Sequence, residues 1–132
     1  MSIYRTNPRK QGDIGVGSAV AWFMRNGYTV SIPVSESQRY DLIVDKDNVL
    51  QRVQIKTSTR REPSGGFLVA LETRGGNQSW SGTSHFFDKE TSDLLFILTD
   101  CDDQYLIPTE KLQDNARSIV VGGAKWIEYR VK

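Results

Sequence analysis

The chain has 132 residues, with 17 Lys plus Arg against 16 Asp plus Glu and a formal net charge of +1. Its 38% hydrophobic and 25% charged residues fit one globular domain spanning 1–132, and exclude a mainly disordered, collagen-like or polybasic histone-like chain. A single cysteine, Cys101, and a single histidine, His85, exclude an internal disulfide and a Cys/His zinc cage.

The first ten residues are polar and carry Arg5, Arg9 and Lys10 with no apolar run behind them. Neither a signal peptide nor a membrane span is expected there, so the expectation is a cytoplasmic protein with no membrane partner. Residues 12–26 carry a mixed apolar face (Ile14, Ala19, Val20, Phe23, Met24) between Asp13 and Gly27, the pattern of a first helix with Trp22 and Phe23 on its core side. Glycines at 12, 15 and 17 weaken its first turns. Strands are expected at 28–33, 40–45 and 50–58, with a turn at 45–48. Residues 73–84, rich in Gly and Ser, read as a long mobile loop. The continuous apolar run 94–99 predicts a strand covered on both faces, followed by one at 104–107. Thr109 is expected to cap a short helix ending at Asp114, with strand-like segments at 118–121 and 126–131. The fold class is therefore α/β, with a mixed central sheet.

Chemistry concentrates in 38–58, QRYDLIVDKDNVLQRVQIKTS. Strand alternation puts Arg52, Gln54 and Lys56 on one face and Val53 and Ile55 on the other. A tight turn between the two strands brings Asp41, Gln54 and Lys56 to one end of the sheet. Hydrolysis of a phosphodiester by a hard divalent ion needs such residues. Asp41, the Gln54 amide oxygen and the backbone carbonyl of Ile55 supply oxygen ligands, and Lys56 can orient or deprotonate the attacking water.

Through KQGDIGVGSAVAWFMRNGYTV, QRYDLIVD and VQIKT, and more weakly DLLFILTD with QYLIP, the sequence resembles the PD-(D/E)XK nuclease superfamily. Within it, the resemblance is to the small branch of archaeal-type Holliday junction resolvases and intron-encoded homing endonucleases. It implies a restriction-endonuclease-like core, a mixed central β-sheet flanked by helices. It also implies Mg²⁺, with Mn²⁺ as substitute, a branched or duplex DNA partner and a homodimer or higher homo-oligomer. Asp41, Gln54 and Lys56 then stand at the catalytic positions.

Two positions depart from the family pattern. Gln54 replaces the usual glutamate, removing one negative charge, as in some homing endonucleases of the superfamily. In the resolvases, a metal-facing glutamate stands about three turns before the helix-ending glycine. Counting back 11 residues from Gly27 lands on Val16, so Asp13, one turn earlier, is the substitute candidate. Asp13 serves equally as a helix-start acid facing the macrodipole. Ser37 matches a resolvase serine near the scissile phosphate.

Ten of the basic residues lie in 1–66 against 6 acidic ones, a charge of +4, and 7 against 10 lie in 67–132, a charge of −3. A polyanion is expected to meet the first half. Arg39, Arg52, Arg60, Arg61 and Arg74 are the expected phosphate contacts. His85 is expected to pack or cap, and Cys101, in an acidic turn, is no candidate nucleophile. The expected activity is resolution of branched DNA in the manner of a Holliday junction resolvase, on Ser37 and the small size of the chain; site-specific cleavage, which Gln54 favours, and a catalytically inactive nuclease-like binding module are the alternatives.

Overall fold

The computed structural model describes residues 7–71, 73–74, 84–85 and 89–132. The first helix, α1 (Pro8–Arg25), starts four residues before the predicted boundary. Pro8 has a φ already suited to a first helical position, and the Asn7 carboxamide accepts a bond of 3.0 Å from the Lys10 N–H. Asp13 is thus not a first-turn acid. At the other end Gly27 turns the chain at φ +86°, and the Gly27 and Tyr28 amides donate back to the carbonyls of Met24 and Phe23.

Three antiparallel strands follow: β1 (Thr29–Ser31), β2 (Leu42–Lys46) and β3 (Val49–Ser58). β2 and β3 are joined by Asp47 and Asn48, both at positive φ, the two-residue turn whose twist matches a hairpin. This turn sets the register that pairs Leu42 with Val53. A strand missed at 67–70, β4 (Phe67–Ala70), leads to β5 (Thr73–Arg74) and β6 (Ser84–His85), which pair with each other. The ends of the expected 73–84 loop are therefore a small ribbon; its interior lies outside the described residues.

β7 (Leu94–Thr99) enters the centre of the sheet parallel to β3, and β8 (Gln104–Pro108) runs antiparallel beside it. β9 (Ser118–Val121) pairs with β4, and β10 (Arg130–Val131) closes the edge next to β8. The main sheet has the order β1-β2-β3-β7-β8-β10. Of the expected strand-like segment 126–131, only β10 is a strand. Trp126 packs into a core, and Ile127–Tyr129 forms a 3₁₀ turn. Thr109 caps nothing: its hydroxyl is buried and donates to the Ser92 carbonyl at 2.8 Å, leaving a 3₁₀ turn at Thr109–Lys111.

Two apolar cores lie on opposite faces of the sheet. On one, Ala19 and Phe23 of α1 pack on Leu42, Val44, Val53, Leu94 and Phe96. On the other, Leu95, Ile97, Tyr105 and Ile107 meet Phe67, Val69 and Val121 of the β4–β9 ribbon. β7 feeds both cores, which is why all six of its residues are buried. The mixed sheet stands as expected, but among the described residues one helix flanks it. A β-ribbon, not a second helix, covers the other face. Among these residues no helix is long and apolar enough to cross a membrane.

Candidate active site

Asp41 directly precedes β2, and continuing the register places it opposite Gln54. Its amide donates to the Val53 carbonyl at 2.8 Å, which fixes the backbone at this point. Its Oδ2 accepts the Ile55 N–H at 2.7 Å and the Gln54 Nε2 at 3.3 Å. An ionised carboxylate only accepts, so the Gln54 amide turns its nitrogen toward it. N–H and C=O of one strand residue leave the same edge, so the Ile55 carbonyl is also aimed to the Asp41 side.

Lys56 stands two residues on, on the same face as Gln54. Burial pushes the Asp41 carboxyl above its ordinary value, against the opposing pull of the Ile55 N–H and the Lys56 charge. Burial likewise pushes Lys56 below the ordinary lysine value, and Asp41 pulls it back. Two ionisable groups that burial drives toward neutrality, facing each other at a sheet end, are the arrangement expected of proton-handling residues.

The donor set fits a hard cation in kind: a carboxylate, an amide oxygen one side-chain rotation away, and a carbonyl. It carries one formal negative charge. Among the described residues no three His, Cys, Asp or Glu side chains converge.

The other expected residues separate in space. α1 lies on the Ile55 and Thr57 side of β3, opposite Gln54 and Lys56. Asp13 is two residues from Gly15, which faces the sheet; at about 100° per residue it therefore points to solvent, where it is exposed. The structure does not bring it to the other three. Ser37 and Arg39 are exposed in the connection leading to Asp41. Arg60 and Arg61 are exposed immediately after β3. The Arg60 backbone is tied by its carbonyl to the Leu68 N–H, and the Arg61 guanidinium lies 4.8 Å from the centre of the Phe67 ring.

Arg52, expected among the phosphate contacts, is instead held in the fold. Its guanidinium binds both carboxylate oxygens of Asp93 at 3.2 Å and the Glu90 carbonyl at 2.7 Å. Its N–H also donates to Asp93 at 2.8 Å. The Arg52 hydrogen bonds hold the Asp93 carboxyl below the usual range. Arg74 is placed by its backbone on β5. Sequence reasoning missed Asp93, whose only local mark is its position just before the apolar run, and Ser58, whose hydroxyl donates to the Leu68 carbonyl and ties β3 to β4.

The PD-(D/E)XK endonuclease family profile matches residues 6–125. The chain belongs to the PD-(D/E)XK endonuclease family. Its fold is similar to that of a bacterial homing endonuclease, I-Ssp6803I, at a TM-score of 0.78 and 19% identity, covering 95% of this chain and 89% of that one. No curated protein matches the sequence. Family membership makes the chain a nuclease.

Proposed function

We propose that this nuclease is a divalent-metal-dependent DNA endonuclease in which Asp41, Gln54 and the Ile55 carbonyl hold Mg²⁺ or Mn²⁺ and Lys56 serves the attacking water. The observation that carries this reading is the convergence of Asp41 and Gln54 at 3.3 Å beside a half-buried Lys56. When bound, the cation polarises the phosphate and acidifies water. The chain's own residues do the rest. Asp41, locked by Ile55 and Val53, fixes the position of the charge. Lys56, whose burial favours the neutral amine, takes a proton from water onto Nζ as the water oxygen bonds to phosphorus and the bond to the leaving sugar oxygen breaks. Arg39, Arg60 and Arg61, exposed on the segments that flank these residues, position the phosphate backbone.

Cleavage of a defined duplex sequence is favoured over junction resolution. The neutral Gln54 and the likeness to a homing endonuclease support the former, and Ser37 with the small size of the chain supports the latter. A cleavage panel of four-way junction, random-sequence duplex library and single strand, with Mg²⁺ or Mn²⁺ and Lys56→Ala as control, tests the reading. Selective cleavage within the duplex library, lost in the variant, is expected. Preferential cutting of the junction would reverse the substrate assignment. No cutting of any member would favour the inactive binding module.

A further inference from the structure

A glycine inside a helix costs about 1 kcal/mol relative to alanine, so α1 carries three such costs, at Gly12, Gly15 and Gly17. A Cβ at Gly12 or Gly17 would meet nothing within 4 Å. A Cβ at Gly15 would lie 2.5 Å from Thr57 Cγ2 and 3.4 Å from Ile55 Cγ2. Ile55 and Thr57 are the neighbours of Lys56 on β3, and both project toward α1 while Lys56 projects to the other face. On that other face Ser58 is bonded to the Leu68 carbonyl. The end of β3 that carries Lys56 is therefore clamped between a helix that touches it backbone-close and a ribbon that pins it from the opposite side.

We propose that Gly15 is a positioning residue for Lys56: the missing side chain lets α1 seat against Thr57 and sets the height of Lys56 relative to Asp41. The proposal rests on the nuclease reading of this site for its catalytic consequence, but not for its geometry. A methyl group at 15 needs about 1 Å more room than the contact leaves, and a shift of that size at a reacting group costs about 100-fold in rate. The offending atom is Thr57 Cγ2, which a serine lacks while keeping the hydroxyl. Thr57→Ser is thus the compensating change, and Gly17→Ala the control that adds a methyl group to open space.

The test is a cycle of Gly15→Ala, Thr57→Ser and the double variant, with Gly17→Ala alongside. The full-length chain is labelled with ¹³Cε-lysine, and the Lys56 resonance is assigned by its loss in Lys56→Arg. Gly15→Ala should displace that resonance; the double variant should restore it, and Gly17→Ala should leave it in place. On the DNA that the wild type cuts with Mn²⁺, Gly15→Ala should lower kcat about 100-fold with KM within about threefold, and the double variant should recover it. A folded Gly15→Ala with an unmoved Lys56 resonance and wild-type kcat would overturn the proposal. So would a double variant as perturbed as Gly15→Ala. Should Gly15→Ala not fold, the comparison of the double variant with Thr57→Ser decides: matching Lys56 resonances uphold the proposal, and a displaced one refutes it. A wild-type chain that cuts nothing would instead refute the nuclease reading, while the resonance cycle still judges the positioning role.

Discussion

Replacing Gln54 with glutamate tests how the candidate site manages charge. The change swaps an amide that donates to Asp41 Oδ2 at 3.3 Å for a second carboxylate. At that separation and an effective dielectric of about 20, two unit charges repel by about 5 kcal/mol. Side-chain rotation and uptake of a shared proton relieve most of this, leaving an expected loss of about 1–3 kcal/mol in metal-free buffer at neutral pH. The carboxyl of Asp41 is already raised by burial, so the added charge raises the proton affinity of the folded pair further. The folded state then binds protons more tightly than the unfolded chain, and the deficit shrinks as pH falls through the raised range. A divalent cation relieves the same repulsion by binding between the carboxylates, and at 100 times its Kd stabilises by about 2.7 kcal/mol. Urea denaturation with and without millimolar Mn²⁺, at neutral pH and near pH 5, reads each term. Gln54→Glu should be less stable than wild type without metal and should gain more from Mn²⁺. A variant as stable as wild type in metal-free buffer at neutral pH, and no more responsive to Mn²⁺, would refute the juxtaposition of residues 41 and 54.

Lys56→Met should abolish cleavage while raising stability by about 0.5–2 kcal/mol, because it removes a charge that burial disfavours. Since the folded state depresses the lysine below its ordinary value of 10.5, wild-type stability should climb with pH toward that value, and the variant should lack the climb in pH-dependent melting. Arg52→Ala should cost about 1–2 kcal/mol by denaturation, yet leave the salt dependence of DNA binding unchanged. Because Arg52 holds Asp93 low, the Asp93 contribution is present above its ordinary value of 3.8 and lost as pH falls through the depressed one; the variant should lose this acid-side dependence. Arg60→Ala and Arg61→Ala should each lower the slope of log affinity against log salt by about 1, measured by fluorescence anisotropy on duplex DNA, with small effects on folding.

Much of the site was written locally. The alternation of 50–58 and the Asp-Asn turn before it act over two or three residues, and together they determine which side chains of the hairpin share a face. That is enough to set Asp41 across from Gln54 with Lys56 one step along. The run 94–99 was legible for a similar reason: a strand buried on both sides has no polar alternation to disguise. The extra strand at Phe67–Ala70 was not legible, since four apolar residues after two glycines look alike in a loop and in a ribbon until β9 arrives to pair with them.

The tertiary structure decided everything that depends on which layer meets which face. It placed α1 behind β3, which turned Asp13 away from Asp41, Gln54 and Lys56. It also gave Arg52 to Asp93, 41 residues distant, instead of to a phosphate. Spacing along a chain reports what one element presents to its surroundings. What stands there is settled by contacts between segments far apart in sequence, and so Gly15 reads as a weak point in a helix until Thr57 is seen beneath it.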